Sequence, residues 1–527
     1  METKGQEESD GRVVPESRRK AVSTAGLGRG GKAATASESA RQLELFSETA
    51  DSPKGDDGEV ATGLPMAATT AVPKSENTRR EIPPTMDMRM EEVAAIENLM
   101  KAFEQVESNE GAPGPDRQGV REVKNHLKVI LPQLRRELVE GNYRPGMIRR
   151  VWIPKPGGGE RGLGIPNVID RVVQQAVYQV MNPHYDPTFH ESSHGFRPGR
   201  SCHTAIAEAR KYLEDGYEWV VDLDLEKFFD RVNHDRLVSR LEQRVKDRRL
   251  IVLIRRMLKA KVVMPDGVVV ATEEGTPQGG PLSPLLSNIV LDELDRELTR
   301  RGHRFVRYAD DCNIYVQSER AGKRVMASIA EFIVKRLKLK VNEAKSTVAR
   351  PEERHFLGFR LRRDPLEGDV EVLLSERSKD RIYQKIRELT PRNWGQSLHD
   401  CIQQSNAYLR GWIGFFWICT EAEELKIRDL DAHLRRRLRA IVLRHWKRRL
   451  HIARNLIRLG VAPKTAWRCI YKEHRSLWAL SHCPAVDRGL RNAYFAERGL
   501  ASLHRLWWNR RAQLTPIVPK QLTLSWG

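Results

Sequence analysis

Two adjacent aspartates, Asp310 and Asp311, stand between apolar runs in Phe305-Val306-Arg307-Tyr308-Ala309-Asp310-Asp311-Cys312-Asn313-Ile314-Tyr315-Val316. The pattern predicts two strands joined by a turn at Ala309-Asp310. An earlier run, Glu218-Trp219-Val220-Val221-Asp222-Leu223-Asp224-Leu225, alternates in the same way. Side chains repeat every two residues in a strand, so Asp222 and Asp224 share a face. Anions set among apolar strands need several kcal/mol of compensation. Divalent cations supply it, and aspartates from two neighbouring strands could hold two Mg²⁺ about 3.5–4 Å apart for a phosphoryl displacement. Oxygen ligands favour Mg²⁺ over softer metals. An Asp-Asp turn also serves as a solvated cap, so this pair does not decide the matter alone.

Charge points to a polyanion. The 527 residues carry 90 Lys+Arg against 70 Asp+Glu. Residues 377–527 hold 30 basic and 11 acidic side chains, and 86–376 are nearly balanced. Such a lopsided segment favours nucleic acid over a membrane surface. No run approaches the ~18–20 apolar residues of a membrane span. The start, METKGQEESD, lacks an apolar signal core, which leads to the expectation of a cytoplasmic protein. The six cysteines never form C-x-x-C, which argues against a zinc ribbon or a disulfide framework.

Residues 1–85, rich in Ala, Ser, Thr, Gly, Glu and Lys, read as a disordered leader. Helical spacing begins near Met88 with Met90, Val93, Ile96, Met100, Phe103 and Val106. It resumes over Val120 to Glu140, after a Gly/Pro loop. Arg150–Pro154 and Leu163–Pro166 read as short strands around a Gly-rich turn. That turn formally satisfies G-x-G-x-x-G, but a dinucleotide site needs the string to open a helix. It is read here as a hairpin flanked by two cations, Lys155 and Arg161, which could point at one polyphosphate or stand as two exposed surface charges.

Several blocks, taken in order, resemble a reverse transcriptase. Asp224-Leu225-Glu226-Lys227-Phe228-Phe229-Asp230 precedes Gly275-Thr276-Pro277-Gln278-Gly279-Gly280-Pro281-Leu282-Ser283-Pro284, and the Tyr308-Ala309-Asp310-Asp311 turn follows. His194-Gly195-Phe196-Arg197-Pro198-Gly199-Arg200, Asn342-Glu343-Ala344-Lys345-Ser346 and Phe356-Leu357-Gly358-Phe359 match further blocks of that family. GAPGPD and IPKPGGGERGLGIP resemble bacterial-type group II intron-encoded reverse transcriptase/maturases. So do Arg392-Asn393-Trp394 and Asn406-Ala407-Tyr408-Leu409-Arg410-Gly411-Trp412. The resemblance implies an α+β right-hand polymerase fold, with fingers and an antiparallel palm sheet over 86–361. An α-helical thumb, or maturase domain, follows over 377–465, and a basic DNA-binding-like tail over 466–527. Without paired cysteines, no HNH endonuclease is expected.

The resemblance also implies roles. Asp224, Asp310 and Asp311, with the Leu225 carbonyl, would hold two Mg²⁺; Asp222 is the rival for Asp224. Lys345 would neutralise the pyrophosphate. Lys155 and Arg161 would clamp the triphosphate, Gln278 would touch nucleotide or template, and Phe229 would exclude a ribose 2′-hydroxyl. Arg435, Arg436, Arg439, Arg444, Lys447 and Arg448 would line an RNA track on an amphipathic helix whose Leu434, Leu438, Ile441 and Val442 face inward. The expected partners are group II intron RNA, an RNA template with a DNA or RNA primer, target DNA and dNTPs. An RNA-binding splicing factor without polymerase activity and a defence-type reverse transcriptase are the alternatives.

Overall fold

The computed structural model describes residues 87–154, 158–391, 397–472 and 476–514. The leader 1–85, Lys155 and Arg392-Asn393-Trp394 lie outside the described residues.

The periodicity from Met88 yields two helices, Met90–Val93 and Ile96–Ser108, with the break at Ala94-Ala95. The next helix is Val120–Val139, and it buries Val123, Leu131, Leu134 and Leu138. The strands that follow are β1 (Ile148–Pro154), β2 (Glu160–Ile165), β3 (Trp219–Leu223), β4 (Val262–Val263) and β5 (Val269–Val270). After them come β6 (Arg304–Tyr308), β7 (Asp311–Val316), β8 (Thr347–Ala349), β9 (Phe359–Arg363) and β10 (Val370–Leu374).

β1 and β2 form an antiparallel hairpin that pairs Trp152 with Gly162 and Ile153 with Arg161. The following helix, Val168–Tyr185, begins only after β2, so the glycines turn a hairpin and do not open a helix. β4 and β5 extend this sheet in the order β2-β1-β4-β5.

The central sheet has the order β6-β7-β3-β8 and is antiparallel throughout. Strand alternation gives it two apolar faces. Phe305, Cys312, Ile314, Val221 and Leu223 join the core that contains helices Ser283–Arg300 and Glu319–Phe332. Val220, Val306, Tyr308 and Tyr315 join a second core with Phe359, Leu361, Trp412 and Ile413. Helices on one side and a mostly helical layer on the other leave the ends of the strands as the open part of the sheet.

From Glu376 the chain is helical, with Glu376–Leu389, Leu398–Phe416, Glu424–His445, Arg449–Arg458 and Pro463–Tyr471 as the longer early helices. Trp412 is buried, and Phe415 and Phe416 pack on Phe359 with ring centroids 5.4 and 5.1 Å away. The second core runs on through Leu456, Val461, Ala466, Ile470, Val486 and Trp507. The expected boundary at 465/466 therefore falls inside one packed unit.

Ile314 is fully buried at the centre of the sheet, so Ile314→Ala is expected to lower stability by about 2–5 kcal/mol. The exposed Val129→Ala should stay within about 0.5 kcal/mol. Thermal melting of the two variants against the parent chain checks both.

Candidate active site

The β6–β7 turn has only Ala309 and Asp310 between its strands. Ala309 has φ 55°, a left-handed conformation that costs a residue with a Cβ on the order of 1–2 kcal/mol. The turn is held in this shape from behind. Arg307, with no exposed surface, donates from Nε to Asp295 Oδ1 (2.7 Å) and from Nη2 to Asp295 Oδ2 (2.5 Å). Nη1 donates to Asn288 Oδ1 and to the Ala309 carbonyl, each at 2.9 Å, and Nη2 also donates to Ser193 Oγ at 2.6 Å. All the donors of the guanidinium are used. Burial works against its charge, but Asp295 holds its pKa above the ordinary value. Asn288 and Asp295 lie two turns apart on the helix Ser283–Arg300 and so share a face. Gly195 presses on the same turn: a Cβ there would stand 2.2 Å from the Ala309 amide nitrogen.

The register places the carboxylates. β3 pairs Leu223 with Cys312, and one further step sets Asp224 opposite Asp311. Asp224 is fixed by its backbone: its N–H donates to Ser346 Oγ (3.0 Å), and its carbonyl accepts from Asn342 N–H (2.8 Å). Glu226 N–H donates to the Lys340 carbonyl (2.8 Å), and Leu225 forms an isolated antiparallel bridge with Val341. In such a pair the central residue directs its own C=O away from the partner strand. Asp311 is exposed and Asp310 half-buried. Burial pushes the Asp310 carboxyl above its usual range. The Asp224 charge adds to this, while Arg161 and Arg307 pull the other way. The cation of the β1–β2 hairpin thus acts on the aspartate of the β6–β7 turn.

Asp222 differs from Asp224 in having a cation of its own. Arg354 Nε donates to Asp222 Oδ2 at 3.0 Å, and Nη2 makes a second contact with the same oxygen. Among the described residues, the cation beside Asp224 is the exposed Lys345, whose Nζ is 3.7 Å away. Among the described residues, no group of three or more His, Cys, Asp or Glu side chains is drawn together closely enough to hold a metal. The donor chemistry nevertheless fits a hard divalent cation. Asp224 and Asp310 repel each other, and the site offers carboxylate oxygens.

Phe229 is half-buried and packs edge-on against Phe228, with centroids 5.2 Å apart. The Gln278 carbonyl accepts from Gly164 N–H of β2 at 2.7 Å, which ties the glycine loop to the β1–β2 hairpin. Lys155 lies outside the described residues. On the helix Glu424–His445, Leu434, Leu438, Ile441 and Val442 are buried. Arg444, Lys447 and Arg448 are exposed. Arg435 and Arg436 are half-buried, with the Arg436 guanidinium 4.2 Å over the Trp478 ring. Arg439 points inward instead: its Nε donates to the Leu490 carbonyl (2.9 Å), and it pairs with Asp487. Arg437 is buried and donates to Thr390. These two arginines hold the helical layer together and do not line its surface.

Sequence reasoning gave no role to Arg307, Asp295, Asn288 or Gly195. The available signal was a cation between Val306 and Tyr308 in a buried strand, since Arg is almost never fully buried without a partner.

A short antiparallel sheet with carboxylates at a strand–turn–strand is the arrangement of a polymerase palm, and the family comparison agrees with it. Residues 153–361 match the family described as reverse transcriptase (RNA-dependent DNA polymerase). Residues 379–458 match the group II intron, maturase-specific domain. Reverse transcriptases are nucleotidyltransferases that generally depend on a divalent metal. Protein YkfC of Escherichia coli (strain K12) is 42% identical over 200 residues, which are 37% of this chain and 52% of that protein. Group II intron-encoded protein LtrA of Lactococcus lactis subsp. cremoris is 37% identical over 201 residues, 37% of this chain and 32% of LtrA. The Putative COX1/OXI3 intron 2 protein of Saccharomyces cerevisiae is 29% identical over 295 residues, 45% of this chain and 34% of that protein. The alignments thus span about half of YkfC and about a third of the other two. The chain carries a reverse transcriptase domain followed by a group II intron maturase domain, and it is a homologue of intron-encoded proteins. Among the described residues, no helix is long and apolar enough to cross a membrane.

Arg307→Ala would leave Asp295 buried and unpaired, so a loss of about 3–5 kcal/mol is expected. Arg307→Lys should recover only part of it, because an ammonium has three donors for the five acceptor atoms that the guanidinium joins. Thermal melting of both variants measures the difference.

Proposed function

We propose that this chain is an RNA-directed DNA polymerase and an intron maturase. The observation that carries the proposal is the position of Asp224, Asp310 and Asp311 at one end of the palm sheet, with the charges of Asp224 and Arg161 both acting on Asp310. These aspartates, with the Leu225 carbonyl, would hold two Mg²⁺. When bound, the ions supply activation of a primer 3′-hydroxyl and stabilisation of the leaving oxygen. The remaining work of the chain is positioning and charge stabilisation. Arg161 and Lys155 clamp the triphosphate of a dNTP. Lys345, on the turn beside Asp224, neutralises the departing pyrophosphate. Gln278 contacts nucleotide or template, and Phe229 stands against a ribose 2′-hydroxyl. Asp222 stays outside the ligand set because its carboxylate is already engaged by Arg354.

The maturase role is binding. The exposed Arg444, Lys447 and Arg448, with Arg435 and Arg436, grip the folded group II intron RNA and assist its splicing. Arg439 serves this surface only indirectly, by fixing the helix against Asp487. Phosphate contacts of this kind position the RNA, while shape and unpaired bases specify it. Target DNA for retrohoming is the further partner, and the cytoplasm is the expected compartment.

Primer extension on an RNA template with Mg²⁺ and dNTPs tests the polymerase. Asp310→Ala is expected to reduce cDNA synthesis by about a thousandfold or more, with intron RNA binding retained. Tight RNA binding with no cDNA from the parent chain would instead make the protein a splicing factor without polymerase activity. For the RNA track, replacing Lys447 and Arg448 by Ala should weaken intron binding. It should also reduce the slope of log affinity against log salt by about 1–2, read by filter binding across a salt series.

A further inference from the structure

Phe229 sits on a single helical turn, Phe228–Arg231, whose N-cap Lys227 has φ 49° and no side-chain cap. So short a helix cannot fix its own side chains. The loop that begins at Gly275 fixes them. Thr276 N–H donates to the Phe229 carbonyl at 2.6 Å, and Gly275 N–H donates to the Val232 carbonyl at 2.8 Å. Asn233 and Glu274 add an antiparallel bridge. Gly275 has φ 91°, and a Cβ on it would lie 2.8 Å from the Phe229 carbonyl oxygen and 2.9 Å from Asp230 Cα. No larger residue fits without moving the turn that bears the ring.

The Gly275 carbonyl is anchored in its turn by His234, which is buried at 3% exposure, with Nε2 2.6 Å from that oxygen. A carbonyl only accepts, so Nε2 carries the proton, and Nδ1 has no partner among the described residues. The far end of the loop is tied to β2 through Gly164 N–H and the Gln278 carbonyl. One backbone segment therefore runs from the Phe229 turn to the hairpin that carries Arg161.

We propose that His234 and Gly275 are positioning residues for sugar selection: by clamping the Phe229 turn they set how closely its ring approaches the ribose of the incoming nucleotide. The proposal rests on the reading of Phe229 given above. A 2′-hydroxyl adds one oxygen atom, so the exclusion depends on the ring being held to a fraction of an ångström. Hydrogen bonds through a rigid backbone provide that, and neither residue needs to touch the nucleotide.

The test compares kcat/KM for a dNTP and the matching rNTP, using the full chain on a primed RNA template with Mg²⁺. The variants are Phe229→Ala, Gly275→Ala, His234→Asn and His234→Gln. Gly275→Ala and His234→Asn are expected to reduce the dNTP preference about tenfold, the scale of one hydrogen bond in the interior. Their loss should lie in the ratio, through faster rNTP addition, and not in a uniform fall. His234→Gln, whose amide nitrogen reaches where Nε2 stands, should keep the preference. Equal slowing of dNTP and rNTP addition by both variants overturns the proposal, as does failure of both to fold, because either result makes the clamp purely structural. An unchanged ratio in Phe229→Ala removes the underlying reading of Phe229 and is distinguishable by that arm alone.

Discussion

The site depends first on the buried guanidinium of Arg307. It joins one strand, one turn, one helix and one loop: its own strand, the Ala309 carbonyl of the turn, Asn288 and Asp295 of the helix Ser283–Arg300, and Ser193. A buried ion pair contributes little net stability unless every donor and acceptor is satisfied. Here every N–H has an acceptor, and the Asp295 carboxylate takes two of them. What this satisfied pair adds is specificity. It allows a non-glycine residue, Ala309, to remain left-handed and so keeps Asp310 and Asp311 at the end of the sheet.

Around that turn the negative charge is divided unequally. Asp222 is paired with Arg354, although burial still lifts its carboxyl above the usual range; Asp310 is lifted by burial and by the Asp224 charge. A carboxylate lifted by burial and a neighbouring negative charge is one that a hard cation would stabilise. The β1–β2 hairpin contributes Arg161 from the other side, and the glycine loop joins that hairpin to the Phe229 turn. Catalysis by positioning requires such rigid connections between groups that are distant in sequence.

The helical half shows the same economy with arginine. On the helix Glu424–His445, residues two apart face opposite ways, so Arg437 and Arg439 turn to neighbouring segments while Arg444 remains exposed. A basic run is therefore not uniformly a binding surface: part of it closes the ends of other helices and part is free for a polyanion.

Local pattern made much of this legible. The period of two fixed β3, β6 and β7 and put Asp222 and Asp224 on one face. The period near 3.6 marked the helices that follow Met88 and Val120 and the inward set Leu434, Leu438, Ile441 and Val442. The run of ordered blocks carried the polymerase resemblance. Tertiary structure alone decided which groups are partners. Arg354 meets Asp222 across 132 positions, Arg307 meets Ser193 across 114, and His234 meets Gly275 across 41. The periodicity of a strand or helix follows from the backbone geometry of neighbouring residues, so the sequence displays it. An ion pair or a clamp depends on where folding brings distant segments, and it settles which of two equivalent carboxylates is neutralised and which arginines face solvent.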